Sequence, residues 1–369
     1  MLWYLIICVL MCIPCAIVRA GIRLRLKTRH IALMTACLIL WFFMAFRDIT
    51  VGVDTKHYAY VFTQFEKIPF SKVFTVVTYS NEAKSWAFDF EPGYRLLNKL
   101  LSVFFSGSQA ITIFNSTVIM LLWYKLIRRE SPDYMLSVWL VLTLGIFQTE
   151  MNVTRNAIAI LIVYNGFNYL RRGRFRAYAV VCIAASMIHV AALLFLPLYW
   201  LVRRVRLTPR RMLRLVLVSC VVGLFYPILS PYISALVPGR YARYFQGDNE
   251  SLQSLMVGFL NAGVFLMTLH FLQRKHRREV FSRYRLGVML LTVNLCFFGL
   301  NIGMDDASRI AALFGPYLVI LVPQILTLIP QRGRRINVTR LLMLLTGIQY
   351  VLRMCINNIG GTLPYAFFW

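Results

Sequence analysis

Long apolar stretches that alternate with short basic connections dominate the pattern of hydrophobic and polar positions in this chain. An α-helix needs about 20 mostly apolar residues to cross the hydrocarbon core of a bilayer. The apolar stretches lie at about 1–18, 31–46, 109–127, 135–149, 151–170, 177–202, 212–230, 253–273, 286–303, 309–329 and 339–356. The pattern predicts an all-α polytopic membrane protein with about ten full transmembrane helices.

The stretch at 177–202 does not fit this alternation. It lies between two basic segments, 171–176 and 203–211, and a single crossing would put these segments on opposite sides of the membrane. Its length is too short for two ordinary transmembrane helices. We therefore predict a short re-entrant or broken hairpin, bent near His189 and Val190. Irregular backbone at membrane depth is tolerated only where it is buried in protein or lines a cavity, which makes His189 a candidate site residue.

Residues 47–108 form the one long connection between apolar stretches. We expect them to contain amphipathic helices, such as 58–65 and 94–105, that lie on the membrane or dip into it. The connection has too many aromatic residues for a disordered segment and too few Gly, Pro and Ser for a flexible linker. Since nothing marks a separate soluble domain, we predict a single integral membrane domain over 1–369.

Composition and charge support a lipid environment. The chain is 59% hydrophobic and 15% charged, with a mean hydropathy of +0.66, which is more apolar surface than a soluble core of this size hides. The net charge of +26 would suggest nucleic acid if the basic residues shared one face. Instead, 28 of the 40 Lys and Arg residues fall in six clusters, at 19–29, 125–129, 171–176, 203–214, 274–285 and 332–340. Such clusters mark cytoplasmic loops and contact anionic lipid headgroups, so we expect both termini outside and no nucleic-acid partner.

The cysteines and histidines do not indicate a metal or redox centre. All eight cysteines lie in apolar stretches. Cys12-Ile-Pro-Cys15 has the spacing of a redox motif, but it lies inside the first apolar stretch without the usual fold around it. His and Cys are nowhere spaced as metal ligands. We therefore expect no metal and no cofactor.

Three arginines at the outer ends of predicted helices are candidates for substrate binding: Arg47, Arg155 and Arg309. A charged side chain within a transmembrane helix costs about 2.5–3.5 kcal/mol on insertion scales, so it should have an anionic partner. The planar guanidinium binds phosphate through two parallel hydrogen bonds, and the three arginines could together hold a diphosphate. The alternative is a nearby carboxylate for each arginine: Asp48 or Asp54 for Arg47, Glu150 for Arg155, and Asp305 for Arg309.

His189, Asp54 and Glu91 are the candidates for a general base. Imidazole accepts a proton near neutral pH, and a positioned carboxylate serves as well, so the sequence leaves the choice among them open. A lone histidine in an apolar helix is more often a packing residue, and this alternative also stays open for His189.

Several short motifs around these residues occur together and in order over nearly the whole chain. They are Phe46-Arg47, Val51-Gly52-Val53-Asp54-Thr55 with Tyr58, Glu91-Pro92-Gly93-Tyr94 with Leu97-Asn98, Arg155-Asn156-Ala157-Ile158-Ala159, Ala185 to His189, Ser308-Arg309-Ile310, and Leu363-Pro364-Tyr365-Ala366-Phe367-Phe368. In this combination the chain resembles the EpsG family, within the broad Wzy-like group of bacterial polysaccharide polymerases. It departs from the family at Val53, often Thr, at Asn156, often Gln, and at Val190-Ala191, where Ser usually follows the histidine.

The resemblance implies a glycosyltransferase of the bacterial inner membrane that polymerises O-antigen or exopolysaccharide repeat units on the periplasmic face. The donor would be an oligosaccharide on undecaprenyl diphosphate, and a sugar hydroxyl of another repeat unit would displace the lipid diphosphate without a metal. A chain-length co-polymerase is an expected partner. In this reading Arg47, Arg155 and Arg309 stabilise the leaving diphosphate, and His189, Asp54 or Glu91 deprotonates the acceptor. The predicted substrate-binding residues also include Asn156, Tyr58 and Tyr94. Four tyrosines in outer regions either stack on sugar rings or anchor the protein at the membrane interface: Tyr58, Tyr94, Tyr241 and Tyr244.

Two other classes of function stay open. A transporter or flippase for lipid-linked oligosaccharide would also explain intramembrane charges and a broken hairpin. A purely structural membrane subunit is the third class, and it would not require Arg155 and Arg309 at costly depths. Loss of polymer, loss of lipid translocation or loss of assembly in arginine variants would separate these classes.

Overall fold

The computed structural model describes residues 2–20, 25–75, 90–205, 208–236, 252–273, 277–304 and 307–369. Within these residues all regular secondary structure is helical, apart from an isolated β-bridge between Arg47 and Phe367. The protein is therefore an all-α polytopic membrane protein, as the hydrophobic pattern predicts.

The chain divides into two compact units. The first contains Met1–Tyr199 and Leu345–Trp369, and the second contains Trp200–Leu344. The helices that begin in the first unit are α1 (Leu2–Leu10), α2 (Cys12–Ala20), α3 (Arg25–Ala45), α4 (Thr55–Lys67), α5 (Pro92–Phe104), α6 (Gln109–Glu130), α7 (Tyr134–Thr143), α8 (Ile146–Asn152), α9 (Thr154–Arg171), α10 (Phe175–Ser186) and α11 (Leu198–Arg204). Those that begin in the second are α12 (Pro209–Leu236), α13 (Leu252–Gln273), α14 (Arg277–Leu300), α15 (Ala307–Phe314), α16 (Leu318–Leu326) and α17 (Arg332–Asn357). Short 3-10 helices occupy Phe70–Lys72, Val190–Phe195, Gly315–Tyr317 and Ile359–Gly361.

Fewer helices than expected are long enough to cross a membrane by themselves. Within the described ranges there are five such segments, Thr28–Ala45, Gln109–Glu130, Pro209–Ile228, Ala307–Leu326 and Arg332–Ile356. Helices α7 and α8 make a sixth if they count as one span bent by 58°. Shorter apolar helices cover Leu2–Ile17, Phe175–Ser186 and Tyr284–Leu300. The count falls below the predicted ten in part because a break divides the apolar stretch 135–149 between two short helices.

The apolar stretch at 177–202 is broken where the sequence predicts a bend. Helix α10 ends at Ser186, and His189 has extended backbone, with φ −155° and ψ 123°. The 3-10 helix Val190–Phe195 follows directly. The break turns the backbone N–H of Val190 and the imidazole of His189 away from a continuous helix, so both are available to another element.

Helices α4 and α5 of the long connection pack against each other. Tyr58, Phe62 and Phe65 of α4 are buried in one apolar cluster with Tyr94 of α5 and Ile111 of α6. The opposite face of α5 exposes a row of apolar side chains, Leu96, Leu100, Val103 and Phe104. Helices thus form where 58–65 and 94–105 predict them, and that they lie on the membrane as amphipathic helices stays a prediction.

Close helix approach and buried amides characterise the second unit. A β-carbon at Gly223 of α12 would collide with the carbonyl oxygen of Gly299 in α14, so these two helices pack with backbone almost in contact. The amide of Asn261 donates to Asn294 Oδ1 at 2.9 Å, and Asn294 Nδ2 donates to the carbonyl of Ala311 at 2.8 Å. Buried amides that bind each other satisfy polar groups that lipid would leave unpaired.

The segment after α17 returns to the end of α3. The N–H of Asp48 donates to the carbonyl of Ala366 at 2.9 Å, and that of Phe368 donates to Phe46 at 3.2 Å. The hydroxyl of Tyr365 donates to the carbonyl of Phe43 at 2.6 Å. These bonds fix the course of the chain that leads from α3 to the candidate site.

Candidate active site

Glu91 lies at the centre of the candidate site and binds two sequence-distant segments. Its Oε2 accepts a hydrogen bond from Arg155 Nη1 at 2.5 Å. Its Oε1 lies 2.7 Å from His189 Nδ1 and accepts the N–H of Val190 at 2.9 Å. The carboxylate thus joins the N-terminus of α5, the first turn of α9 and the break after α10.

Local sequence explains why Glu91 points to the break. Glu91 is the N-cap residue of α5 and is followed by Pro92, whose fixed φ suits the first helical position. Gly93 allows the first turn of α5 to approach the break, because a β-carbon at Gly93 would lie only 2.7 Å from the carbonyl oxygen of Met187. The same carbonyl accepts the N–H of Tyr94 at 3.1 Å.

Aromatic rings surround the guanidinium of Arg155. It lies 4.0 Å from the ring centroid of Phe90 and 5.7 Å from those of Tyr58 and Tyr94. Its Nε is buried without a hydrogen-bond partner among the described residues. Contact with ring faces stabilises a partly desolvated cation, so the rings hold Arg155 in place while one edge of the guanidinium binds Glu91.

Opposing effects act on the pKa values of the acidic and basic groups around Arg155. Burial raises the pKa of Glu91, but the hydrogen bond with His189, the charge of Arg155 and the Val190 N–H outweigh it, so the pKa is lowered. Burial raises the pKa of Asp54, and the charge of Arg155 opposes this only in part. For His57, burial and then the charge of Arg155 lower the pKa. Glu91 is therefore ionised at neutral pH, and His57 is neutral.

Three helices begin around Arg155. Asp54 precedes α4, Glu91 precedes α5, and Val153 precedes α9, and no side chain of these N-cap residues accepts a hydrogen bond from its own helix. The N–H of Asp54 instead donates to Asn152 Oδ1 at 2.8 Å. Free N–H groups at a helix N-terminus attract negative charge, so the region is electropositive apart from its two carboxylates.

Tyr58 and Tyr94 are buried, with exposed fractions of 6% and 0%. The hydroxyl of Tyr94 accepts a hydrogen bond from Asn115 Nδ2 at 2.8 Å, and the same amide lies 3.2 Å from Thr154 Oγ1. Both tyrosines therefore pack beneath Arg155 and are not open to a sugar ring. Asn156 follows Arg155 in α9 and is half-buried, and its Oδ1 has no partner among the described residues.

Arg47 is also buried, with 1% of its surface exposed. Its Nη2 donates to the carbonyl of Met151 at 2.7 Å, and its Nη1 donates to the carbonyl of Met44. Neither Asp48 nor Asp54 pairs with it, and Asp48 instead accepts the hydroxyl and N–H of Thr50. Burial lowers the pKa of Arg47 to about 10, which still leaves it charged at neutral pH. Arg47 thus links the end of α3 to the end of α8 through hydrogen bonds to these two carbonyls.

The remaining predicted residues include Glu150 and Arg309. Arg155 pairs with Glu91 and not with Glu150, whose Oε2 accepts the indole N–H of Trp123 at 2.8 Å. Arg309 lies in the second unit, exposed on the first turn of α15. Its alternative partner Asp305 and the tyrosines Tyr241 and Tyr244 lie outside the described residues.

Sequence reasoning missed His57, Phe90 and Asn115 at this site. His57 follows Asp54 by one helical turn, and its ring packs edge-on against Phe90 with centroids 5.3 Å apart; the spacing was the signal that could have found it. Phe90 and Asn115 carry no local signal, because their roles depend on long-range packing against Arg155 and Tyr94. Within the described ranges, no group of three His, Cys, Asp or Glu side chains could hold a metal ion.

The fold and the site together define a helical membrane protein with an ion-paired carboxylate, imidazole and guanidinium cluster. The model of the EpsG family matches residues 30–367, and the chain belongs to the EpsG family. This confirms the resemblance seen in the sequence motifs and supports a polysaccharide polymerase-type function in general. Searches of curated proteins and of solved structures gave no match.

Proposed function

We propose that the protein is a glycosyltransferase that polymerises undecaprenyl-diphosphate-linked oligosaccharide repeat units on the periplasmic face of the inner membrane. The observation that carries this proposal is the position of Glu91 between His189 and Arg155. It puts a group that can take a proton beside a group that can hold a phosphate. Both are needed when a hydroxyl displaces a diphosphate.

His189 is the general base in this proposal. Both oxygens of Glu91 are already engaged, so Glu91 is better suited to orient the imidazole than to take the proton itself. With the proton on Nδ1 held by Glu91, Nε2 is left as the acceptor, which is the arrangement of a histidine oriented by a carboxylate. The side chain of His189 is 27% exposed, enough for an acceptor hydroxyl to reach it.

The reaction forms one bond and breaks one. The acceptor oxygen attacks the anomeric carbon of the donor sugar while His189 Nε2 takes the hydroxyl proton. The bond between the anomeric carbon and the diphosphate oxygen breaks, and its electron pair leaves with the lipid diphosphate. Deprotonation of the nucleophile by a positioned base contributes about 10²- to 10⁴-fold to rate.

Arg155 stabilises the leaving diphosphate, with help from the N-termini of α4, α5 and α9. Charge that develops on the leaving group is best stabilised by groups already fixed in position, and the rings around Arg155 fix its guanidinium. We further propose that this positive charge replaces a metal ion, and the diphosphate-binding role of Arg309, which lies in the second unit, stays a prediction from the sequence. Arg47 contributes through its bonds to the carbonyls of Met44 and Met151.

The test is polymer synthesis by purified protein from an authentic lipid-linked repeat unit in EDTA. Wild type should make a polymer ladder, and Arg155→Ala and His189→Ala should each reduce its rate by at least about 100-fold. Arg340→Ala and His270→Ala, both at exposed positions of other helices, are the matched controls and should keep wild-type rates. Asp54→Asn separates the candidate bases, since full activity of this variant excludes Asp54.

Two results would contradict the proposal. If wild type made no ladder but moved labelled lipid across a vesicle bilayer, the protein would be a transporter. A ladder that depended on added divalent metal would remove the metal-independent part of the mechanism and leave the polymerase.

A further inference from the structure

Arg353 is a buried arginine that the proposed reaction does not use. It lies in α17, within the candidate membrane span, and only 4% of its surface is exposed. Among the described residues, no carboxylate forms an ion pair with it. Its Nη1 donates to the carbonyl of Leu144 at 2.8 Å, and its Nε has no hydrogen-bond partner in the described part of the chain. A charged side chain is energetically costly inside a transmembrane helix, so its presence there indicates a functional or structural role.

The carbonyl that Arg353 binds lies at the bend between α7 and α8. The two helices meet at 58°, and Gly145 between them has a left-handed conformation, with φ +74°. A bend leaves carbonyls at the end of α7 without helical partners, and the same end carries partial negative charge. The guanidinium supplies both a donor and an opposite charge there, where lipid supplies neither.

Arg353 also packs directly on the bend. A β-carbon at Gly145 would lie 3.1 Å from Arg353 Nη1, so the guanidinium fills the space over the glycine. The same helix, α17, holds the neighbouring turns, since Gln148 Nε2 donates to the hydroxyl of Tyr350 at 2.5 Å and Trp139 Nε1 donates to Thr346 at 3.1 Å. Contacts on both sides of the bend therefore fix its angle.

Helix α8 connects this bend to the candidate active site. It has seven residues and ends at Asn152, whose Oδ1 accepts the N–H of Asp54. Arg155 follows three residues later in the first turn of α9. A helix of this length is about 10 Å long, so a change of about 10° in the bend moves its far end by about 2 Å. Misplacement by about 1 Å is enough to reduce turnover by about 100-fold.

We infer that Arg353 is a positioning residue, which sets the angle between α7 and α8 and thereby the positions of Arg155 and Asp54. It touches neither substrate nor the reacting atoms. The inference rests on the proposed function, because its readout is polymer synthesis at the site of Arg155. It makes the part of α17 that belongs to the first unit, from Leu345 onwards, a part of the active-site framework of that unit.

The experiment compares turnover per folded molecule for Arg353→Met and Arg353→Lys, with protein in detergent quantified by size-exclusion chromatography. Arg353→Met should lower kcat about 10- to 100-fold, and Arg353→Lys, which restores a charged donor, should recover most of that loss. Arg340→Met, on the exposed part of the same helix, is the control and should keep the wild-type kcat. A residue needed only for folding would reduce the amount of folded protein and leave kcat unchanged.

Gly145→Ala perturbs the same bend independently of Arg353. Its φ is unfavourable for alanine, and the added carbon meets Arg353 and Ile359. If both residues act through the bend, the double variant should be no slower than the worse single variant, whereas independent effects would multiply. If Arg353→Met does not fold, Gly145→Ala alone carries the test. Wild-type kcat in Arg353→Met or in Gly145→Ala overturns the inference, while an inactive wild type overturns the proposed function instead.

Discussion

Two apolar stretches of the first unit are broken, and the breaks are used in different ways. At 187–190 the backbone opens towards the site, because the N–H of Val190 and the imidazole of His189 bind Glu91. At Leu144 the break leaves a carbonyl oxygen that accepts a hydrogen bond from the buried guanidinium of Arg353. One break presents groups to the candidate site, and at the other a buried cation binds the carbonyl. Under the proposed function, interrupted helices supply both the reactive groups and the framework that positions them.

The largest expected effect comes from removing the carboxylate of Glu91, which binds the break at 187–190 (the open break). Glu91→Gln keeps the size of the side chain but cannot pair with Arg155 or hold His189 in one tautomer. We expect polymer synthesis to fall about 10³-fold or more, measured as initial rate with saturating lipid-linked repeat unit. Glu66→Gln is the control, since the carboxylate of Glu66 accepts the N–H of Gly107, away from Arg155 and His189 in the chain. Activity within threefold of wild type would show that the ion-paired cluster is not the catalytic site.

A smaller effect should follow from separating α5 from the open break. Gly93→Ala places a carbon 2.7 Å from the Met187 carbonyl oxygen, so the break must shift away from Glu91. We expect a 10- to 100-fold loss of rate and a destabilisation of about 1–3 kcal/mol, measured by assay and thermal unfolding. Gly333→Ala, with nothing within 4 Å of the added carbon, should leave both unchanged. Equal behaviour of the two variants would mean that this close approach does not matter.

The aromatic support of Arg155 should contribute less. Phe90→Leu removes the nearest ring, 4.0 Å from the guanidinium, but keeps the apolar volume. A lost cation–π contact of about 0.5–2 kcal/mol corresponds to a rate loss of about 2- to 30-fold. The loss should appear mainly with wild-type Arg155, so a double-mutant cycle with Arg155→Lys measures the coupling. Additive losses in that cycle would argue against the contact.

The smallest effect is a pH dependence of stability. The lowered pKa of Glu91 means that the folded state binds this proton more weakly than the unfolded state does. The stabilisation from Glu91 is therefore present above the unfolded pKa of about 4.3 and is lost as pH falls through the lowered folded pKa. The difference in Tm between wild type and Glu91→Gln should be constant from pH 6 to 8 and shrink below about pH 4. A difference that grew in acid would reverse the sign of the assignment.

The sequence predicted much of the open break at 187–190 and little of the break at Leu144, which Arg353 closes. Two basic segments on either side of 177–202 required a bend near His189, and Arg155, Glu91 and Asp54 stood out as charges at helix ends. The pairing of Arg155 with Glu91, 64 residues apart, could not be predicted, because it depends on how α5 packs against α9. Arg353 carried the same signal as Arg155, a charge within an apolar stretch, but its partner is a backbone carbonyl that no side-chain pattern reveals. Tyr58 and Tyr94 looked like exposed interface residues and are buried, since α4 and α5 pack together.

The bonds between the 46–48 segment and residues 365–368 have a consequence for biosynthesis. Tyr365 and Phe43, which are joined by a hydrogen bond, are 322 residues apart. While the chain is being made, the strand-like partner of Arg47 has not yet left the ribosome, so the backbone leading to Asp54 waits for a segment made much later. Completion of the contacts at 46–48 is therefore a late event of synthesis. A chain truncated before residue 360 would hold Arg155, Glu91 and His189 and yet lack the backbone partners of 46–48.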